Sequence, residues 1–367
     1  MGCGSFADRM DIFQTTTRYE TWLAQTVPVI ADHLTIKHNL MKESAFAFFR
    51  GTYYHWTEEL SALQLSGVEC PSVGDLHIEN FGTWRDAEGR LVWGVNDYDE
   101  AAMLPWQNDV LRLLTSALLA LDADCLELKP GEIVESILAG YRKGLMRGPR
   151  IYTLAERNDW LRELVKKQTK NPDSFFEKLT DQPGANPPEE VKALLTASLP
   201  PDAQHPLFVL REAGMGSLGK ARYAAIATWN GGLIAREARA VCPPAQNAFG
   251  KTIPALGEEI LAKRKSSPDP FRRLEGSWLI RRLAPDCAKV EMELLERQAD
   301  QAKLLAAMGR ETASVHHSGG NTEKILEELN AANDRWFRET AGNLADAVRS
   351  AFKSFRKRTR TGRDSVD

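Results

Sequence analysis

Gly74-Asp75-Leu76-His77-Ile78-Glu79-Asn80 is followed, after one short connection, by Val95-Asn96-Asp97-Tyr98-Asp99-Glu100. Between them the sequence predicts a strand over Phe81 to Trp84, a polar turn over Arg85-Asp86-Ala87-Glu88-Gly89 and an apolar strand over Leu91 to Val95. This is the pattern of a β-hairpin with a glycine-containing loop. Folding about Ala87 and Glu88 sets Asn80 opposite Val95 and brings Asp97 beside Asn80. Side chains alternate along an extended strand, so Asp97 and Asp99 share a face if the strand runs that far. An ionised carboxylate taken out of water unpaired is costly, and this acidic tip therefore needs a cation or a solvent-filled cleft.

Hard oxygen donors such as Asp and Asn suit Mg²⁺, which takes one or two protein carboxylates and completes its shell with water and substrate phosphates. An Asp five residues before an Asn, with a later Asp, is the spacing protein kinases use for base and metal ligands. On that reading Asp75 is the base, Asn80 and Asp97 hold the metal, Asp99 is a second metal contact and His77 positions the loop. Local turn and helix-start preferences also favour these residue types. Asp109 opens an apolar helix running through Leu121, where it either meets the helix dipole or anchors the loop. Arg50, after Phe46-Ala47-Phe48-Phe49, is read as a phosphate contact or a structural ion pair.

A chain of 367 residues is long enough for a large core and two lobes. A formal charge of -3 gives no global attraction to nucleic acid or anionic membrane. The basic Arg356-Lys357-Arg358-Thr359-Arg360 run reads as a solvated helix end. The five cysteines, Cys3, Cys70, Cys125, Cys242 and Cys287, are widely spaced and include no C-x-x-C pair, so neither a disulfide framework nor a zinc site is expected. Met1-Gly2-Cys3-Gly4-Ser5-Phe6 lacks the Ser or Thr that a myristoylation signal wants. With no bilayer-length apolar run and no secretory leader, a soluble, cytoplasmic protein is expected, with no membrane or nucleic-acid partner.

Residues 16 to 65 read as helices, a helical block runs from about 107 to 147, and an amphipathic helix spans Thr153 to Thr169. Asn171 to His205, rich in Pro, Asp and Gln, reads as an exposed linker carrying short helices. Beyond it come strands at Leu207 to Leu210, Arg222 to Trp229 and Leu233 to Val241, a helix near Ile253 to Lys265, a strand at Trp278 to Leu283, and helix after Lys289. The expected division is 1–170 with the acidic segment, 171–205 linker, 206–288 β-rich, and 289–367 helical and returning to the first part. His316 and His317 are expected to be exposed.

Gly214-Met215-Gly216-Ser217-Leu218-Gly219 fits G-x-G-x-x-G, a weak signal alone. A dinucleotide fold needs the third Gly to open a helix, but Gly219 leads into the strand from Arg222, which turns back at Asn230-Gly231-Gly232. A glycine loop capping a hairpin is the kinase arrangement: small residues let backbone N–H groups approach phosphate oxygens. Gly214, Gly216, Ser217 and Gly219 are thus candidate nucleotide contacts. Arg236 or Arg239 on the next strand would supply the phosphate cation. Three residues apart, they face opposite sides, so only one enters the cleft. Glu258 and Glu259 are candidate partners for it.

Taken together, Phe46-Ala47-Phe48-Phe49-Arg50-Gly51, Gly74-Asp75-Leu76-His77 with Asn80-Phe81-Gly82, Asn96-Asp97-Tyr98-Asp99-Glu100 and Gly216-Ser217-Leu218-Gly219 resemble the bacterial domain-of-unknown-function 2252 family. That family is grouped with the protein-kinase-like fold. The segment from Gly74 to Asp109 also resembles aminoglycoside phosphotransferases, whose loop reads H-G-D-L-H-x-x-N. The resemblance implies Asp75 as catalytic base, Asn80 and Asp97 as metal ligands, Asp109 as buried anchor, and ATP with Mg²⁺ as cofactors. Val73 replaces the loop histidine and arginine the nucleotide lysine. The acidic segment precedes the glycine loop, the reverse of ordinary kinases, which implies an α+β, two-lobed, circularly permuted kinase-like fold in which the helix from Ala302 to His317 once led into Gly74. The expected activity is phosphotransfer to an unidentified acceptor, a small molecule or protein. The alternatives are a nucleotide-binding pseudokinase and a metal-dependent hydrolase built on Asp75, His77, Asp97 and Asp99.

Overall fold

The computed structural model describes residues 10–360 apart from Ala288 and Glu296, without the side chains of 359 and 360. Cys3 and the Met1 to Phe6 segment lie outside the described residues. Four helices open the chain: α1 (Ile12–Thr26), α2 (Ala31–Leu40), α3 (Ala45–Gly51) and α4 (Tyr53–Ser61). Then follow β1 (Glu69–Ser72), β2 (Phe81–Arg85), β3 (Leu91–Val95), β4 (Ala102–Pro105), α5 (Gln107–Asp122), α6 (Pro130–Arg147), β5 (Tyr152–Thr153), α7 (Asp159–Gln168), α8 (Pro172–Thr180) and α9 (Glu189–Ala197). The second half holds β6 (Gln204–Leu210), β7 (Arg222–Trp229), β8 (Gly232–Ala240), α10 (Gly257–Lys263), β9 (Arg273–Glu275), β10 (Trp278–Leu283), α11 (Gln298–His316), α12 (Thr322–Ala331) and α13 (Asp334–Arg360). The α+β class read from the sequence is observed.

Three antiparallel sheets form: β1 with β4, β2-β3-β5, and a five-stranded sheet in the order β6-β7-β8-β10-β9. The predicted hairpin is present, but its register differs by one residue. Phe81 pairs with Val95, and the Asn96 N–H donates to the Asn80 carbonyl at 3.1 Å. The cause is the turn, in which Asp86 faces Arg90 across a three-residue loop ending at Gly89, whose φ of 71° suits glycine. The pivot is therefore Glu88.

Two other boundaries move. The block from 107 to 147 is two helices interrupted at 123–129, and the Thr153 to Thr169 segment begins as strand β5 before α7 starts at Asp159. Residues 171–205 carry the short helices expected, but these are packed onto the sheet rather than exposed. Leu179 of α8 and Val191 and Leu195 of α9 are buried, α9 packs on β7, β8 and β10, and the Leu210 N–H donates to the Pro183 carbonyl at 2.8 Å. Apolar residues at helical spacing inside a Pro-rich stretch give those helices a sheet to cover.

Around the acidic hairpin the helical core is built from α5, whose residues from Asn108 to Ala120 are all buried, and from α6 packed along α11. No described helix is long and apolar enough to cross a membrane. Cys70, Cys125, Cys242 and Cys287 are all free thiols.

Candidate active site

The loop after β1 is held by one carboxylate. Asp109, fully buried in the first turn of α5, accepts the N–H groups of Val73 at 2.7 Å and Gly74 at 2.9 Å. Charge-assisted bonds of this kind are the strong ones. Asp109 also meets His316 Nε2 at 3.2 Å. His316 is buried rather than exposed, and its Nδ1 lies 2.7 Å from the Tyr141 hydroxyl. Burial alone lowers its pKa, but Cys70 and Asp109 outweigh that and push it up to about 10. Gly74, at φ 81°, turns the chain where a Cβ would strike the Glu100 carbonyl oxygen.

Downstream, the Ile78 N–H donates to Ser116 Oγ at 3.1 Å, and the Glu79 N–H donates to His77 Nδ1 at 3.2 Å. Burial, with Arg50 and Arg112 nearby, holds the His77 pKa well below the ordinary value, so the ring is neutral and serves as a local cap. The Asn80 amide donates to the Asp75 carbonyl. Asp75 itself is gripped by Arg112, whose Nη2 and Nε lie 2.5 and 2.7 Å from Oδ1. Arg112 is wholly buried, with its guanidinium 3.9 Å from the Phe49 ring centroid. Burial raises the Asp75 pKa, and Arg112 opposes that rise without cancelling it.

Asp97 and Asp99 lie beyond the end of β3, yet they converge on one cation. Arg239 reaches Asp97 Oδ2 at 3.3 Å and Asp99 Oδ1 at 2.5 Å, and Lys220 reaches Asp99 at 3.5 Å. For Asp97 the cost of burial is overcome by Arg239, which holds the carboxyl well below its usual range. Its side chain is 36% exposed against 11% for Asp99, so Asp97 is the more open to a ligand.

Opposite stands the glycine loop, with Gly214 at φ 74° and Gly219 at φ 102°. Ser217 Oγ bonds the Gly214 carbonyl at 3.2 Å and accepts from Arg222. A Cβ built on Gly216 would sit 3.3 Å from the Arg50 carbonyl and 3.7 Å from Asp75 Oδ2, so this loop descends onto the acidic loop. The two walls enclose a cavity of about 540 Å³ whose lining includes Asp75, Asn80, Asp97, Asp99, Gly214, Gly216, Ser217 and Arg239. Gly219 lies outside that lining, beside Leu34.

Of the two strand arginines, Arg239 faces the cavity. Arg236 points to the other side of β8, where its Nε donates to the Ser198 carbonyl at 3.0 Å; alternation along a strand makes the two exclusive. Neither Glu258 nor Glu259 reaches Arg239: they pair with Arg272 at 2.7 Å and Lys263 at 2.5 Å. Arg50 pairs with Glu79 at 2.7 Å and also lines the cavity.

Several wall residues escaped the sequence reading: Arg112, Lys220, Lys289 and the cluster of Arg211, Arg222 and Arg281 around the fully buried Glu237. Arg112 carried a legible signal, a lone cation in Val110-Leu111-Arg112-Leu113-Leu114. The others are scattered along the chain and come together only in the folded sheet and its flanking loops.

Asn80 and Asp97 supply hard oxygen donors of the kind Mg²⁺ takes. Among the described residues no group of three or more His, Cys, Asp or Glu forms a metal cage, so such an ion would draw further ligands from water and phosphate. The Nε atoms of Arg239 and Arg50 are buried with no hydrogen-bond partner among the described residues, which suits an anionic ligand with spare acceptors.

Residues 29–193 match a family described as an uncharacterized protein conserved in bacteria, DUF2252, which supports the resemblance drawn from the motifs. The match takes in the acidic hairpin and its anchor and ends before the glycine loop. The chain matches no curated protein and no solved structure.

Proposed function

We propose that the protein is an Mg-ATP-dependent phosphotransferase with a circularly permuted kinase-like fold. The observation that carries this reading is the shared cavity, with Asp75 beneath Gly216 and the Asp97–Arg239 pair beside them. The glycine loop joins the first two strands of the five-stranded sheet, and Arg239 lies on the third, as in a kinase nucleotide lobe. Permutation draws support from the end of α11: His316 bonds the anchor Asp109, and Gly319 packs on Pro71 of β1, the strand that enters the acidic loop.

Each side chain then has a task. Backbone N–H groups from Gly214 to Ser217 cover the phosphates, and Arg239 and Arg50 offer them charge. Asn80 and Asp97 hold Mg²⁺, which supplies charge neutralisation on the phosphates when bound. Asp75 orients the acceptor hydroxyl and takes its proton, and Arg112 fixes the Asp75 carboxylate in place.

A nucleotide-binding regulatory module is the second reading, favoured by the tight Arg112 grip on Asp75. Thermal melting with and without Mg-ATP tests the nucleotide claim. Ligand at about 100 times its Kd adds about 2.7 kcal/mol, a rise of several degrees for a chain of this size. Asp97→Asn should remove the Mg²⁺ dependence of the rise, and no rise under saturating nucleotide would refute both readings. ATP turnover at background with the rise intact selects the regulatory module.

A further inference from the structure

Arg236, turned away from the glycine-loop cavity, borders a second and larger one of about 1240 Å³ at the far end of the five-stranded sheet. Its register partner on β10 is Arg282. Both guanidinium groups stand over the same Phe271 ring, at 4.1 and 4.3 Å from its centroid. Like charges directly across a strand pair are destabilising. Burial and the nearby Arg282 together push the Arg236 pKa down to about 10, with Asp269 pulling the other way. Among the described residues neither arginine has a carboxylate within ion-pair distance. The ring face attracts each cation but brings no net negative charge.

The rest of the wall is mixed: charged residues such as Arg85, Arg90, Lys166 and Asp286 line one part, and Phe176 of α8, Leu199, and Trp229 and Leu233 at the β7–β8 turn form an apolar stretch, of which Trp229 and Leu233 remain exposed. Concave apolar walls with a few convergent polar groups are the usual form of a small-molecule site. An apolar surface next to two cations with no carboxylate in ion-pair contact among the described residues selects a ligand that is apolar along its length and anionic at one end.

We propose that this second cavity binds an amphipathic anion of the long-chain carboxylate type, its head between Arg236 and Arg282 and its chain along Phe176, Leu199, Trp229 and Leu233. The site is independent of nucleotide. Calorimetric titration of the full chain with dodecanoate, dodecanol and acetate, each below any micellar range, tests it. Dodecanoate should bind at least tenfold more tightly than either comparison compound. Arg282→Gln should weaken dodecanoate at least tenfold while leaving dodecanol unchanged. Leu233→Glu, at an exposed position, should weaken dodecanoate without altering the melting temperature, which keeps the test intact if Arg282→Gln folds poorly. Dodecanol binding as tightly as dodecanoate, no dodecanoate binding, or dodecanoate affinity unchanged in a folded Arg282→Gln or in Leu233→Glu would overturn the proposal.

Discussion

The two walls of the main cavity are built on different principles. The acidic wall is fixed from beneath: Asp109 holds two backbone N–H groups, Ser116 a third, and Arg112 the Asp75 carboxylate. The glycine wall arches over it with its own small turn, in which Ser217 Oγ bonds Gly214 and Arg222, and its far end is tied where the Ile30 N–H donates to the Gly219 carbonyl at 2.8 Å. Preorganised groups cost nothing to align at the moment of reaction, whereas a cover must admit and release its ligand. Under the proposed phosphotransferase reading, the fixed wall would carry the chemistry and the arching wall would cover the nucleotide.

Breaking the fixed wall should have the largest effect. Asp109→Ala leaves two backbone donors unmet and strands a buried charged His316, so a loss of about 3–5 kcal/mol is expected, read by urea denaturation. A loss below about 1 kcal/mol would mean that the loop is held by something else.

Next comes the pH response of the same wall. Burial pushes Glu100 up to about 7 from an ordinary value of 4.5, with Lys220 and the Ala245 N–H opposing. A carboxyl with a raised folded pKa favours the folded state most while it is protonated. Stability should therefore fall as pH rises from about 4.5 to 7, by on the order of 3 kcal/mol. Glu100→Gln should flatten that window in denaturation midpoints measured across it. A slope that survives the substitution assigns it to another group.

On the glycine wall the expected stability effects are small, and the binding effect at Gly216 is not. Gly216→Val puts its Cβ 3.3 Å from the Arg50 carbonyl, tighter than ordinary contact, so the loop must give by a few tenths of an ångström, and the melting temperature should fall by a few degrees while the Mg-ATP shift disappears. Ser217→Ala, which removes the two side-chain bonds to the Gly214 carbonyl and Arg222, should cost about 1–2 kcal/mol and leave nucleotide binding within a few-fold. If Gly216→Val keeps the full nucleotide shift, gating does not belong to this loop.

The same contrast explains what could be read in advance. The hairpin from Phe81 to Val95 was legible because strand alternation and Gly89 are local signals, but its one-residue register depends on loop geometry that sequence leaves open. Asp75, Asn80 and Asp97 were legible as a spacing. Their partners were legible only in part, Arg112 as a lone cation in an apolar helix and Arg239 as one of two candidates, since a guanidinium's destination is set by packing between segments distant in sequence. The choice of Arg239 over Arg236 needed the sheet's facing. The short helices between Asn171 and His205 were legible, but their burial was not, because proline content masked the apolar positions Leu179, Val191 and Leu195; the burial of His316 was hidden because its helix ends inside the core.

Hydrogen exchange on the intact chain, with and without Mg-ATP, tests the shared site most directly. Added nucleotide should slow exchange in Gly214 to Gly219 strongly and in Gly74 to Asn80 detectably, in the same titration and with one midpoint. Protection confined to one segment, or absent from both at saturating nucleotide, would contradict a single site made by the two walls.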